Sequence, residues 1–225
     1  MIDTTTPKGR ILAAALALAA ERLWREVSLA DIAEKAGLSL VDLKTSFDSK
    51  AEMLVAFSGL VDDEMLRRAP RRSPDQSTRD ALFEVIMSRF DALGPYRVAL
   101  KSIAGSGFAD IGHLRAVMNA QHWMLAAAGV NTDGPVGVAR TAGLATVYAS
   151  VFRTWLDDED PGFSRTMAAL DRRLRRGESA LSRMDEVCTG AQRFASAILP
   201  SLFGRRSPPP PPQPEAPAAT PPPGI

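Results

Sequence analysis

Three stretches near the N-terminus repeat one arrangement: Ser28-Leu-Ala-Asp31, Ser39-Leu-Val-Asp42 and Ser49-Lys-Ala-Glu52. Each places a hydroxyl at a helix start and an acid three residues on. The first N–H groups of a helix have no intrahelical partner, and a pair of this kind can cap them reciprocally. Starts this close together confine the region to short, sharply delimited helices. Between the first two lies a glycine break, Glu34-Lys-Ala-Gly-Leu-Ser39. Two turns of helix, a glycine turn and a second short helix describe a helix-turn-helix, whose second member fits the major groove of DNA. A plain helical bundle with short loops is the alternative reading of the same spacing.

The second short helix, expected at 40–46, can be laid out at about 100° per residue. With Leu43 at zero, Phe47 falls near 40° and Leu40 near 60°, which marks the core side. Val41 and Thr45 fall at about 160° and 200° and face away. Lys44 and Asp42 flank that outer strip with opposite charges. Val41 and Thr45 can touch thymine methyls, and Lys44 can reach a phosphate or a guanine. Ser39 can donate to phosphate, as can the backbone at the start of the next helix beside Lys50. The expected DNA-contacting set is therefore Ser39, Val41, Lys44, Thr45 and Lys50. Residues 1–60 hold seven basic and eight acidic side chains, so counterion release would add little to non-specific affinity.

The rest also reads as all-α, since no segment alternates cleanly with period two. Helices are expected at 7–24, 29–36, 40–46, 50–68, 76–93, 96–104, 110–128, 135–157 and 163–184. In the first, Leu12, Leu16, Ala19 and Leu23 recur on one face, Thr6 suits the cap and Pro7 the first position. That pattern argues for an amphipathic helix over a signal peptide. Gly94-Pro95 and Gly129 read as helix stops. The acids of Asp157-Asp-Glu-Asp-Pro-Gly162 favour the start of the helix that follows.

These elements give a domain division of 1–57 for the helix-turn-helix head and 58–185 for a larger helical body. A short amphipathic segment, 186–206, and a proline-rich tail, 207–225, follow. The tail holds ten of the 17 prolines and cannot form a core. Within 191–206, Phe194, Ile198, Leu202 and Phe203 lie near helical spacing beside Arg193, Arg205 and Arg206. That stretch can contact a membrane surface peripherally, or dock as a short helix on the body. A single cysteine, Cys188, excludes a disulfide framework and points to a reducing, cytoplasmic setting. A net charge of +1 names no partner.

No residues converge on a reaction. His113 and His122 fall on opposite helix faces, and no HExxH, P-loop or GxSxG occurs. No enzyme activity, metal or cofactor is expected. What the body offers is apolar length, and Met118, His122, Trp123, Tyr148 and Phe152 are the residues that could line a tunnel for an apolar small molecule or lipid. Ala142, Gly143, Ala145 and Ala149 permit close approach of a neighbouring helix.

Residues 10–57 resemble the N-terminal domain of the TetR family of bacterial transcription regulators. The resemblance is carried by Ile11, Ala14, Val27-Ser28, Ile32-Ala33, Ala36-Gly-Leu-Ser39, Leu43, Phe47, Ser49-Lys50 and Leu54. Where the family usually has an aromatic residue this chain has Lys44. The resemblance implies a homodimer, a three-helix head for double-stranded operator DNA, and an effector-binding helical domain. Residues 124–174 are similar to the C-terminal part of a ubiquinone-biosynthesis lipid-binding family with a TetR-like fold. Ala128-Gly129, Asp133, Arg140, Leu144, Val147-Tyr148, Trp155, Asp157-Asp158, Thr166, Leu170-Asp171 and Arg173 carry it. That resemblance implies an accessory protein of quinone biosynthesis that binds lipid and not DNA.

Overall fold

Helix starts in this chain are written into side chains, and the structure uses them. The structure is a computed structural model; it describes residues 1–106 and 111–177, without the side chains of 111–115. All of these lie in one compact unit, Met1–Ala180. The elements are α1 (Pro7–Glu21), α2 (Leu29–Ala36), α3 (Leu40–Ser46), α4 (Lys50–Arg68), α5 (Thr78–Leu93), α6 (Arg97–Gly105), α7 (Ile111–Ala127) and α8 (Gly134–Leu156). The chain is helical again over 164–177, here α9. There is no strand among the described residues.

The expected capping boxes close completely at two of the three starts. Ser28 and Ser39 each accept from the backbone N–H three residues on, and Asp31 and Asp42 accept from the N–H of their own serine. At the third, Ser49 accepts from Glu52 N, but Glu52 reaches past it to the N–H of Asp48. The longer glutamate overshoots by one residue, whereas aspartate fits the reciprocal bond. A fourth cap, Ser77 accepting from Asp80 N, starts α5 at Thr78 instead of 76. Thr6 caps α1 with Pro7 at its first position, as expected.

Other boundaries also differ from the sequence reading, those of α6, α7 and α8 by one residue at each end. α1 ends at Glu21, and a 3-10 turn at Trp24–Glu26 follows. The break swings Trp24 into the core and leaves Leu23 exposed, although Leu23 continued the apolar face of α1. Gly94-Pro95 ends α5 at Leu93 as expected, but the break is only a 3-10 turn, Gly94–Tyr96, leading straight into α6 at Arg97. α9 begins one residue later than expected, after Phe163 in a left-handed conformation. Gly129 does end α7, with φ at 71°.

α1 packs on α2, α3 and α6, and α4 packs on α5 and α7. Residue 57, the expected head–body boundary, lies inside α4. Met53, Leu54 and Phe57 of that helix are buried in its first half, and Val61 and Met65 in its second. One uninterrupted helix therefore belongs to both parts.

Candidate nucleic-acid interface

α2 ends at Gly37 with φ 64° and ψ 38°, a left-handed cap that glycine adopts without a steric penalty. The N–H of Leu38 bonds back to Ala33 O at 3.0 Å, so the turn between α2 and α3 is closed by its own backbone. α3 is then held from behind. Leu43 and Phe47 are buried, and Ile32 and Ala33 of α2 are buried with them in the core.

The outer side of α3 is open. Val41 is 74% exposed, and Lys44 and Thr45 are exposed. Leu40 departs from the helical-wheel expectation, at 54% exposed. It is the first residue of α3, where its side chain tilts back beyond the end of the helix and out of reach of the core. The presented strip is thus more apolar than the sequence suggested: Leu40 and Val41 adjoin.

Hydrogen bonds restrict what the polar groups can do. Thr45 Oγ1 donates to Val41 O at 2.9 Å, so its oxygen is left as an acceptor beside its methyl. Ser39 Oγ donates to Asp42 at 2.6 Å and accepts from Asp42 N, so its proton is already spent. Asp42 is held below the usual carboxylate range by the side-chain and then the backbone hydrogen bonds from Ser39. Lys44 has no ion pair among the described residues. Lys50, expected at the phosphate side, turns inward instead. Its Nζ donates to Trp24 O and Val27 O at 2.8 and 2.7 Å and lies 4.5 Å from the centre of the Trp24 ring. Partial burial lowers its pKa. Lys50 is a brace across the α1–α2 connection, because two carbonyls and an indole face form a better-fitted cation site than open solvent. Lys8, which sequence reasoning missed, stands 5.7 Å from the Phe47 ring and brings an exposed cation beside α3.

The same connection is tied to the body. Ser102 Oγ of α6 accepts from Trp24 N and donates to Arg22 O. Trp24 is therefore gripped from the head by Lys50 and from the body by Ser102.

Of the residues expected to line a tunnel, Tyr148 and Phe152 are brought together, their rings stacked 6.0 Å apart, while His122 and Trp123 lie on the exposed side of α7. His122 is exposed, and Trp123 is 43% exposed with its ring edge-on to His122. The apolar neighbours of this pair, Met124 and Leu125, turn to the core in their place. Met118 and Phe152 are half-buried, and Tyr148 is buried. Two clefts of about 270 and 560 Å³ lie elsewhere, beside Leu23 and Val98 and beside Phe83 and Phe163, and neither touches any of the five.

What sequence reasoning missed is a buried polar set. Arg89 of α5 pairs with Asp62 of α4, donates from Nη2 to Ser58 Oγ at 3.2 Å, and donates from Nε to Tyr148 of α8 at 3.1 Å. Burial pushes the Tyr148 phenol up, partly offset by the Arg89 charge and its hydrogen bond. Phe90 stacks on Tyr148 and on Trp155, 5.3 Å centre to centre in both cases. No periodic signal marks Arg89, which sits in α5 like any surface arginine.

The turn before α9 carries out the role expected of its acids. Asp158 accepts from Thr166 N and Oγ1 at 2.8 and 2.7 Å, and Asp160 accepts from Gly162 N and Ser164 N. Burial acts to raise Asp158, but the bonds from Thr166 and Asp160 outweigh it and hold it low. Cys188, the 191–206 stretch and the proline-rich tail lie outside the described residues. No described helix is long and apolar enough to cross a membrane.

Comparison with known proteins agrees with this architecture. The family described as "Bacterial regulatory proteins, tetR family" matches residues 11–57, and the COQ9 family matches residues 139–180. No curated protein matches the chain. Among solved structures, a TetR transcriptional regulator from Nitrosomonas europaea ATCC 19718 is 27% identical, covering 75% of this chain and 96% of its own, at a TM-score of 0.58. A TetR transcriptional regulator from Rhodococcus sp. RHA1 is 21% identical, with 74% and 92% covered and a TM-score of 0.56. A tetR-family regulator from Streptomyces coelicolor is 19% identical, with 85% and 88% covered and the same score. The chain carries a TetR-type helix-turn-helix domain on an all-α, TetR-like fold.

Proposed function

We propose that this chain, with a TetR-type head on a TetR-like helical body, is a DNA-binding transcription regulator that acts as a homodimer and responds to an apolar small molecule. The carrying observation is the open outer side of α3, where Val41 is 74% exposed while Leu43 behind it is 2% exposed. A capped helix with a seated back and a free front is a shape for reading a groove. Val41 and Leu40 suit thymine methyls. Thr45, with its proton used, accepts from the amino groups of cytosine or adenine. Lys44 and Lys8 supply phosphate contacts. The domain division at residue 57 is functional in this reading, because α4 carries a shift in the body straight into the head. Exposed Ala142, Gly143 and Ala149 on α8 support a close approach of the second copy. An effector that favours one arrangement of α4 would change the spacing of the two heads, and so their fit to successive major grooves.

The test is selection of bound duplexes from a random library, followed by titration of the enriched sequence at several salt concentrations. A pseudo-palindrome should be enriched, and Lys44→Ala should reduce the salt slope by about one. Recovery of no sequence above background would overturn the reading.

A second reading is favoured by one observation, the COQ9 match over 139–180. In it the chain is a lipid-binding accessory protein that does not bind DNA, with peripheral membrane contact through 191–206. Native mass spectrometry decides between them: a co-purifying isoprenoid with no selected DNA supports the second, and an enriched duplex supports the first.

A further inference from the structure

One residue of α7 is not explained by its surroundings. Gln121 is 0% exposed, and among the described residues neither Oε1 nor Nε2 of its amide has a hydrogen-bond partner. It shares a helix face with Met124, Leu125 and Ala128, all buried, since positions three, four and seven apart line one side. α7 packs on α4, α5 and α8. A buried amide in this state has given up its water bonds and gained none in return, which destabilises the fold.

The other buried atoms of this kind are Arg10 Nε and the indole nitrogens of Trp24 and Trp155. Each is a single donor on a large side chain. The Trp155 ring stacks on Phe90 and Phe152, so its burial is offset by aromatic contact. Gln121 has no such offset, because both ends of its polar group are orphaned on a short aliphatic stem. Methionine would fill the same space with no polar cost.

We propose that Gln121 is the recognition group of a binding site in the body core, for a compact, mostly apolar molecule that carries a hydrogen-bond donor and acceptor side by side, as a carboxamide or lactam does. One such edge satisfies both ends of the glutamine amide in a cyclic pair. The rest of the molecule meets the apolar side of α7 and the helices against it. This inference rests on the effector reading above and names its residue and its chemical class. Occupancy is transmitted because α7 packs on α4, and α4 continues into the head.

The experiment is thermal unfolding of the full chain and of Gln121→Met, followed by circular dichroism, alone and with 2-pyridone, benzamide or toluene. Alone, the variant should melt about 3–8 °C above the parent, because an orphaned amide has been removed. The parent should be stabilised by 2-pyridone and benzamide but not by toluene, and the variant by none of them. A variant that melts below the parent would show the amide to be structural and overturn the proposal. So would an equal response to toluene, or no response of the parent to either amide. The readout involves no DNA, so a failed duplex selection leaves it standing, and its own failure leaves the DNA reading intact.

Discussion

The helix caps of the head and the buried polar set of the body handle polar groups in opposite ways. In the head, the defining bonds join residues three apart at the surface: Ser28 with Asp31, Ser39 with Asp42. In the body, Arg89 reaches partners 27 and 59 positions away and is buried with them. Local bonds fix where helices begin, which is what a reading helix needs, and breaking one costs little elsewhere. The buried set joins α4, α5 and α8, and none of its members can be removed without stranding another. The head is thus specified piece by piece, and the body as a unit.

The contrast breaks first at Arg89. Arg89→Met leaves Asp62 buried without its cation and should lower stability by about 3–5 kcal/mol, read by urea unfolding. Combining it with Asp62→Leu should recover most of that loss. A single-variant cost below about 1 kcal/mol would mean the pair is solvated and the body is no different from the head.

Tyr148→Phe and Ser39→Ala come next, at about 1 kcal/mol each, by different routes. Tyr148→Phe removes an acceptor of Arg89 inside the body, so it should show coupling to Arg89→Met in a double-mutant cycle. Ser39→Ala removes a local cap and should add to Arg89→Met without coupling. It should also weaken DNA binding more than Ser49→Ala does, because Ser39 belongs to a complete box at the start of the reading helix. Equal effects would show that the reciprocal bond from Asp42 contributes nothing.

The smallest effect lies in acid stability. Asp31 and Asp42 are lowered from 3.8 by hydrogen bonds from their serines, backbone first for Asp31 and side chain first for Asp42. Their folded forms hold protons less readily than the unfolded chain does. The contribution is therefore fully present above about pH 4 and is lost as pH falls through their folded values. In urea titrations between pH 6 and 2.5, a Ser28→Ala/Ser39→Ala variant should lose less of its stability on acidification than the parent. An identical pH dependence would sink this assignment.

Much of the fold was legible because its signals are local. The bounds of α2, α3 and α4 coincide with the sequence reading, since a serine cap, a left-handed glycine and an apolar period all act within a few residues. Leu40 failed because a helical wheel knows angles but not where a helix ends. Lys50 failed because a lysine at a helix start looks solvent-facing until the carbonyls of Trp24 and Val27, more than 20 positions earlier, are folded against it. His122 and Trp123 failed for a related reason. Aromatic character says that a side chain is worth burying, and only the placement of α4, α5 and α8 says which side of α7 is inside.

The amino-acid order by itself determined that the described elements are helices, where the short head helices start, and which way the middle of α3 faces. Those depend on backbone N–H groups and side chains a turn or less apart, whose geometry is the same in any context. Tertiary structure alone decided that Arg89 is an interior cation, that Lys50 braces and does not grip, and that Gln121 is sealed in the core without a partner. Burial is a property of what lies across a gap in space, and no spacing along the chain records it.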